Sequence, residues 1–243
     1  MSNDSSKYVI IPAAGIGTRM ALDIPKQYFK LSNNKTILDT ALEKFIEPDF
    51  FDKVIVALNK DDNFWKDSIY FSHPKVVTCL GGETRFDSVY NALKQIQIRS
   101  QTTWIFVHDA ARPNVTFQDT KNLYEAVKLS KCKSGILGIR AFETVKQVTS
   151  NSPITIDKTL NRDNIWLAQT PQLCELSLLY NAFEYCRLND LAKLVTDEAS
   201  ALELYGSSPL IIQGSRSNIK VTTQEDLELI DWLCRAYTNS NTY

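Results

Sequence analysis

The stretch that decides how this chain folds reads Tyr8-Val-Ile-Ile11, followed by Pro12-Ala-Ala-Gly15-Ile-Gly17-Thr-Arg19-Met20. The first four residues form a continuous apolar run, which is typical of a buried strand. The loop that follows contains two glycines, which lack the Cβ that would hold an anion away from backbone amides. Arg19, and Lys26 in the next motif Pro25-Lys26-Gln27, add positive charge at the same strand end. The stretch therefore predicts a strand that runs into a phosphate-binding loop.

Other glycine-rich phosphate loops fit this spacing less well. A Walker loop ends in Gly-Lys-Ser/Thr, which this loop lacks. A dinucleotide fingerprint has a third small residue three positions after Gly17, where Met20 stands, so a nicotinamide-dependent dehydrogenase is disfavoured. On this loop alone, an ordinary strand-to-helix turn with Arg19 and Lys26 as solvated surface charges stays open.

Composition narrows the class of protein. The 243 residues carry a formal net charge of −1, with 44% hydrophobic and 23% charged residues, as in an ordinary soluble enzyme. Because no global field would attract nucleic acid or anionic lipid, any polyanion must bind a local cluster of cations. The five cysteines are scattered, which indicates reduced thiols. No apolar stretch resembles a signal peptide or a membrane span. We expect a cytoplasmic protein without a membrane or nucleic-acid partner.

Short β-rich runs alternate with amphipathic segments along the chain. Strands are predicted at 8–11, 53–58, 76–80, 104–107, 135–139, 209–212 and 219–221, and helices at 37–45, 87–98, 118–130, 175–187 and 197–204. A last helix is expected after a capping box formed by Thr222 and Glu225. Such alternation predicts an α/β fold, a mostly parallel sheet in one three-layer domain.

Residues 141–160 interrupt this alternation. They are rich in Val, Ile and Thr, with a turn signal at Asn151-Ser152-Pro153, and therefore predict an inserted β-hairpin. Because an isolated hairpin is marginal in water, it must pack on something else. The hairpin can fold back on its own domain or contact a second subunit, and both alternatives remain open.

Residues that follow predicted strands are candidate ligands, because ligands of open α/β sheets bind at the carboxyl ends of strands. Asp109 follows strand 104–107 and suits Mg²⁺, although a helix cap or an ion pair with Arg112 is the alternative. Arg112 can bind a phosphate through two N–H groups. His108 is interpreted as an orienting hydrogen-bonding residue rather than an acid–base catalyst.

The motif Gly81-Gly82-Glu83 allows close approach of a flat ligand such as a nucleobase. Glu83 and Ser88 can contact that base or brace the loop, and a plain glycine-rich turn is the alternative. Near Asp197, Thr196 is expected to cap a helix. Five cations lie near predicted strand or hairpin ends, namely Arg19, Lys26, Arg112, Arg162 and Lys220.

Taken together, the motifs resemble the 2-C-methyl-D-erythritol 4-phosphate cytidylyltransferase family of the non-mevalonate isoprenoid pathway. The resemblance runs from about Tyr8 to Leu233, with all motifs in the same order. It is carried by Pro12-Ala-Ala-Gly-x-Gly-x-Arg-Met20, Pro25-Lys-Gln27, Gly81-Gly-Glu-x-Arg-x-Asp-Ser-Val89, His108-Asp-Ala-Ala-Arg-Pro113, Thr170-Pro-Gln172, Thr196-Asp-Glu-Ala-Ser-Ala-Leu-Glu203 and Asn218-Ile-Lys-Val-Thr222.

The resemblance implies a single Rossmann-like nucleotidyltransferase domain over residues 1–243, with residues 141–160 as a β-arm that interlocks two subunits in a homodimer. It implies CTP and a polyol phosphate as substrates and Mg²⁺ as cofactor. The residues it would assign fall into four groups: catalytic Arg19, Lys26, Arg162 and Lys220; nucleotide-binding Pro12, Ala13, Ala14, Gly15, Gly17, Gly82, Glu83 and Ser88; acceptor-binding Arg112, Thr144, Arg162, Thr170, Thr196 and Lys220; and the metal ligand Asp109. Thr144 and Arg162 would reach the acceptor from the partner's side.

Three positions depart from the family pattern. Glu83 stands where relatives often have Asp, Thr18 stands where some have a basic residue, and Ser217 stands where some have a carboxylate. The implied reaction needs no catalytic base, because a phosphate monoester oxygen is already anionic near neutral pH when it attacks the α-phosphorus of CTP. A cytidylyltransferase for D-ribitol 5-phosphate is the nearest alternative, and a non-catalytic nucleotide-binding regulator is another.

Overall fold

The structure is a computed structural model that describes residues 5–15, 24–97, 102–150 and 152–240, with side chains described through residue 236. The expected loop residues Gly17, Thr18 and Arg19 and the turn residue Asn151 lie outside these ranges. The strands are β1 (Ser6–Pro12), β2 (Lys53–Leu58), β3 (Val76–Leu80), β4 (Thr103–Val107), β5 (Ser134–Arg140), β6 (Lys146–Val148), β7 (Ile156–Thr159), β8 (Trp166–Glu175) and β9 (Leu210–Gln213). The α-helices are α1 (Ile37–Ile46), α2 (Arg85–Lys94), α3 (Phe117–Leu129), α4 (Leu176–Leu188), α5 (Glu198–Leu204) and α6 (Gln224–Ser240).

Seven strands form one sheet in the order β3-β2-β1-β4-β8-β5-β9. Its pairings are parallel, except that β8 runs antiparallel to both neighbours, β4 and β5. The predicted α/β fold with a mostly parallel sheet is therefore confirmed. Because β1, β2, β3 and β4 run parallel, their carboxyl ends lie at the same edge of the sheet.

Both faces of the sheet are covered, which explains the continuous apolar runs of the central strands. Successive residues of a strand point to opposite faces. In β4, Phe106 packs in the core cluster that includes α1 and α3, whereas Ile105 and Val107 pack in the cluster that includes α2, α4 and α5. In β1, Ile10 and Ile11 likewise face different clusters. The result is a three-layer arrangement.

The helix starts follow local side-chain chemistry. Thr36 and Thr84 each cap a helix, and the Asp three residues later returns a hydrogen bond to the cap amide, forming capping boxes before α1 and α2. The capping box predicted at Thr222 and Glu225 lies one residue later, at Thr223 and Asp226. Thr223 Oγ1 accepts from the Asp226 amide, and Asp226 Oδ2 accepts from the Thr223 amide, because α6 begins at Gln224.

Two strand predictions differ from the structure. Residues 219–221 form no strand, and Val221 instead donates one backbone hydrogen bond to Ala111 and buries its side chain in a third core cluster. Conversely, β8 was missed. This strand lies between β4 and β5 in the sheet and contains Gln169, Thr170 and Pro171. Polar residues and proline are unusual in a central strand, so the sequence pattern did not predict it.

The predicted hairpin is present. Strands β6 and β7 pair in an antiparallel two-stranded sheet that is separate from the main sheet. Four large apolar side chains in the described part of residues 141–160 are exposed, with Phe142 at 51%, Val148 at 50%, Ile154 at 73% and Ile156 at 63% of their full area. Within the described residues, no helix combines the length and apolar character needed to cross a membrane.

Candidate active site

A cavity of about 440 Å³ opens at the carboxyl end of β1 and β4. Its lining comes from the loop after β1, the loop before α2, the turn after β4 and the segment before α6. Ten of the predicted site residues line it together: Pro12, Ala13, Ala14, Gly15, Lys26, Gly82, Glu83, Ser88, Asp109 and Lys220. The structure brings Lys26, Asp109 and Lys220 together at one cavity, whereas Arg19 and Gly17 lie outside the described residues.

The glycine loop is braced by the protein itself. Gly81 donates from its amide to the Leu58 carbonyl over 2.8 Å, and Gly82 donates to Ser88 Oγ over 3.0 Å. Ser88 Oγ in turn donates to the Thr84 carbonyl and is almost fully buried. Ser88 therefore shapes the loop that lines the cavity. A Cβ on Gly81 would lie 2.5 Å from the Ala14 Cβ, so glycine is required where this loop approaches the loop after β1.

Asp109 lies at the centre of the cationic part of the cavity. Its Oδ2 is 2.8 Å from Lys220 Nζ and 3.5 Å from Arg112 Nε, and its Oδ1 is 3.2 Å from Arg85 Nε. Burial alone would raise the pKa of the Asp109 carboxyl, but Arg85, Lys220 and Arg112 outweigh it and hold that pKa well below its usual range. Asp109 is therefore a carboxylate at neutral pH. The ion pair with Arg112, which the sequence left open as an alternative, is present.

Lys26 also lines this cavity. Its Nζ donates to the Val221 carbonyl over 2.9 Å, which joins the Pro25-Lys26-Gln27 segment to the chain just before α6. Lys220 stands one residue earlier, with 40% of its side chain exposed. Lys26 and Lys220 therefore bring positive charge to one cavity from two distant parts of the sequence.

Sequence reasoning missed Arg85 as a site residue. It begins α2, lines the cavity, and binds the buried Glu198 through both Nη atoms while its Nε contacts Asp109. The signal that could have found it is the spacing in Gly81-Gly-Glu-x-Arg85, which places an arginine one turn from the glycine pair. Burial raises the pKa of Glu198, and Arg85 offsets that rise only in part.

His108 is fully buried, and its hydrogen bonds identify its tautomer. The Arg112 carbonyl can only accept, so His108 Nε2 donates to it over 2.9 Å. In the neutral ring Nδ1 then accepts from Thr170 Oγ1 at 3.0 Å, and Thr170 Oγ1 accepts from the Asp109 amide at 3.1 Å. Burial lowers the pKa of His108 to about 4. The interpretation as an orienting residue is confirmed.

The predicted acceptor-binding residues are more dispersed. Arg112 donates to the Asn218 carbonyl over 2.7 Å and to the Ala168 carbonyl over 3.3 Å, beside the cavity. Thr170 sits behind Asp109 in β8. Thr144 and Arg162 lie at the base of the arm and do not line the cavity, and Arg162 donates to the Phe142 carbonyl. Their approach to the acceptor from a partner subunit stays a prediction.

The expected cap of α5 was wrong. Asp197, not Thr196, is the N-cap, because its side chain accepts from the Ser200 amide while Ser200 Oγ accepts from the Asp197 amide. Gln172 reaches this turn from β8, donating to Asp197 and accepting from the Ala199 amide. Thr196 lies exposed beside the cap, with its amide bonded to Ser200 Oγ.

The donor set of the cavity fits a magnesium ion that is held mainly by substrate. Its carboxylates among the described lining residues are Glu83 and Asp109. Across residues 5–15, 24–97, 102–150 and 152–240, no group of three His, Cys, Asp or Glu side chains is placed to hold a metal. Mg²⁺ is commonly bound by one or two carboxylates together with substrate phosphates and water, and this donor set is compatible with that mode of binding.

Comparison with known proteins identifies the family. A family model described as IspD, 2-C-methyl-D-erythritol 4-phosphate cytidylyltransferase, matches residues 8–236. The protein of that name from Pseudomonas putida strain GB-1 is 39% identical over 228 residues, 93% of each chain. The one from Vibrio vulnificus strain CMCP6 is 39% identical over 233 residues, 94% of each chain.

Solved structures agree with this similarity. The crystal structure of the 2-C-methyl-D-erythritol 4-phosphate cytidylyltransferase from Francisella tularensis is 56% identical, with a TM-score of 0.82 over 94% of this chain and 99% of that one. The enzyme of the same name from Thermus thermophilus is 25% identical and superimposes with a TM-score of 0.76 over 95% of this chain and 99% of that one. This chain therefore belongs to the 2-C-methyl-D-erythritol 4-phosphate cytidylyltransferase family.

Proposed function

We propose that this chain transfers CMP from CTP to 2-C-methyl-D-erythritol 4-phosphate and releases pyrophosphate, a step of isoprenoid synthesis by the non-mevalonate route. The observation that supports this most is the shared cavity, which gathers Lys26, Lys220 and Asp109 beside a glycine-braced loop in a member of this family. Such a cavity suits two anionic substrates and a flat base.

In the proposed reaction, an oxygen of the acceptor's phosphate monoester attacks the α-phosphorus of CTP. The bond from that phosphorus to the bridging oxygen breaks, and the electron pair leaves with pyrophosphate. Lys26, with Arg19, neutralises charge that builds up on the phosphates, and Lys220 does the same on the acceptor side. No side chain has to remove a proton, so catalysis consists of positioning and charge neutralisation.

Binding roles follow from the cavity walls. Backbone amides of the loop after β1 hold the nucleotide, and Gly82 and Glu83 face its base, with Ser88 bracing them. Arg112, Thr170, Thr196 and Lys220 contact the acceptor. Thr144 and Arg162 complete the acceptor site from the second subunit.

Asp109 would hold Mg²⁺ together with the phosphates of CTP. When bound, the ion supplies positive charge that weakens the repulsion between the two substrates. Lys220, whose Nζ contacts Asp109 Oδ2, is partly exposed and can turn toward the acceptor's phosphate.

The proposal extends to assembly and location. Residues 1–243 form one nucleotidyltransferase domain, with residues 141–160 as the arm through which two copies associate. The exposed apolar side chains of the arm, such as Ile154 and Ile156, support this, because an isolated hairpin is marginally stable. Sedimentation of the purified protein tests it, and a monomer would contradict it. The five free cysteines support a cytoplasmic location.

The test of function is a pyrophosphate-release assay with each of the four nucleoside triphosphates, with and without Mg²⁺. 2-C-methyl-D-erythritol 4-phosphate and D-ribitol 5-phosphate serve as acceptors. We expect release with CTP, Mg²⁺ and the methylerythritol phosphate. Faster release with D-ribitol 5-phosphate would identify that compound as the acceptor instead. CTP binding without turnover would favour a non-catalytic nucleotide-binding regulator.

A further inference from the structure

Three consecutive carbonyl groups in the loop after β1 accept hydrogen bonds from side-chain amides. Gln27 Nε2 donates to the Ala13 carbonyl over 2.8 Å and to the Gly15 carbonyl over 3.0 Å. Asn59 Nδ2 donates to the Ala14 carbonyl between them over 3.1 Å. Two side chains, one from the segment after Lys26 and one just after β2, therefore bind all three carbonyls in the described part of this loop, residues 13–15.

The orientation of both amide groups is determined by their partners. A carbonyl can only accept, so the nitrogen of Gln27 has to face the loop, and its side chain is buried. Asn59 Oδ1 accepts from the Asp61 amide over 3.0 Å, which leaves Nδ2 for Ala14. The side-chain amide nitrogens of Gln27 and Asn59 therefore both donate hydrogen bonds to the loop.

Of the three N–H groups in this part of the loop, one has a partner among the described residues and two do not. The Ala13 amide donates to the Ala57 carbonyl over 2.8 Å, which continues the pairing of β1 with β2. For the amides of Ala14 and Gly15, the described part of the chain supplies no acceptor. Both residues line the cavity. Ala14 is buried, where a backbone amide is normally paired, and Gly15 is exposed, so a ligand in the cavity can accept from both amides.

The amides of Ala14 and Gly15 thus lie at the cavity without a described acceptor, while the carbonyls of the loop are occupied by Gln27 and Asn59. If a carbonyl rotated into the cavity, it would place a partial negative charge against an anionic ligand and would lose its side-chain amide. Holding the carbonyls away before the ligand arrives lowers the reorganisation that binding requires.

We propose that Gln27 and Asn59 are positioning residues that orient the loop of Ala13, Ala14 and Gly15 so that its amides donate to the oxygens of a nucleoside triphosphate. The proposal rests on the proposed function for the identity of that ligand as CTP. In this role both amide nitrogens act on the loop carbonyls and not on the ligand, and Gln27 does so from the lining of the cavity.

Two variants test the proposal. Gln27→Met keeps the length of the side chain and removes both donors, and Asn59→Leu keeps its approximate volume and removes one. We expect each to raise the dissociation constant and KM for CTP by about tenfold or more, the usual scale when a buried hydrogen-bond partner is lost. The KM for the acceptor and kcat at saturating CTP should change much less. Gln118→Met, on an exposed residue that bonds only to Asn122, is the matched control.

Calorimetric binding of CTP needs no turnover, so it separates this inference from the proposed function. If the parent binds CTP but releases no pyrophosphate, the function fails while the positioning role is still measured. Unchanged CTP affinity in both variants overturns the inference. So does an equal loss of affinity for CTP and acceptor, because that pattern indicates general damage to the fold.

A measurement on the unsubstituted protein covers the case in which Gln27→Met does not fold. In a preoriented loop, the side-chain NH₂ protons of Gln27 and Asn59 exchange slowly with solvent before CTP is added. The backbone amides of Ala14 and Gly15 become protected only with CTP. Protection of the side-chain amides that appears only after CTP binds would show that the ligand forms the loop, and the inference would be wrong.

Discussion

Arg85 and Glu198 form a two-point ion pair, with Nη1 2.7 Å from Oε1 and Nη2 3.0 Å from Oε2. The two residues are 113 positions apart in sequence and begin different helices, α2 and α5. Glu198 is 1% exposed, and Arg85 keeps its Nε for Asp109. The pair therefore links the cavity lining to the turn that carries Thr196.

Removing one member of this pair should destabilise the protein strongly. Glu198→Ala leaves the half-buried Arg85 guanidinium without its two-point partner, so we expect the free energy of unfolding to fall by about 3 kcal/mol. Urea denaturation followed by circular dichroism measures it. Replacing both partners with apolar residues, as Arg85→Met with Glu198→Leu, should recover most of the loss.

The more exposed pair of Arg187 and Glu184 serves as a comparison, and Arg187→Ala should leave the denaturation midpoint nearly unchanged. An equally small effect of Glu198→Ala would contradict the prediction. If the apolar double variant is stable but turns over poorly, then the pair positions Asp109 as well as stabilising the fold.

Lys26→Ala should lower kcat by on the order of 10²-fold or more, as when one group that stabilises developing charge is removed. Lys26 lines the cavity, where the proposed reaction builds charge on the phosphates. Steady-state pyrophosphate release measures the change. Lys66→Ala removes an exposed cation from the turn Trp65–Asp67, outside the cavity lining, and is the control. Near-normal turnover of Lys26→Ala would refute its catalytic role.

Arg162→Ala should mainly raise the KM for the acceptor and leave CTP affinity intact. Arg162 lies outside the cavity that would hold CTP, at the base of the arm, so any role in the reaction has to come through the acceptor. Lys158→Ala, which removes an exposed cation from β7, is the matched control. Equal weakening of both substrates would count against the assignment.

His108 should make the protein less stable in mild acid. Its pKa falls from 6.5 to about 4 on burial, so the unfolded chain binds the proton more readily than the folded one. The contribution of His108 is complete above about pH 6.5 and is lost as the pH falls toward 4, by about 3 kcal/mol in total. The raised pKa of Glu198 acts in the opposite direction.

The difference between parent and His108→Gln isolates the histidine. The unfolding free energies of both proteins are measured at several pH values from about 7 to about 4. The two values should converge as the pH falls from about 6.5 to about 4. A constant difference across that range would show that His108 does not remain neutral in the folded state.

The sequence allowed much of the fold to be predicted, because several elements depend on local patterns. The apolar runs of β2 and β3 gave the bounds that the structure has, and the hairpin followed from β-rich segments around a turn signal. By contrast, β8 was missed because its pairing with β4 and β5 compensates for polar residues and a proline in the strand. Long-range hydrogen bonds of that kind leave no periodic signal.

For the site, the sequence order was enough to predict Gly82 and Asp109 at one edge of the sheet, because both follow parallel strands. Lys220 lies at the same cavity although the strand predicted at 219–221 is absent. The roles of Arg85 and Gln27 could not be predicted. Each acts through partners that only the folded chain brings near, such as Glu198.

The sequence by itself determined the class of fold, the family and the cationic character of the site, since apolar periodicity, glycine spacing and charged motifs are properties of neighbouring residues. Only the tertiary structure decided which polar groups are occupied by the protein and which remain for a ligand. The physical reason is that a hydrogen bond or ion pair is directional and short in range, so Asn59 and Ala14 interact only after the sheet has brought their strands together.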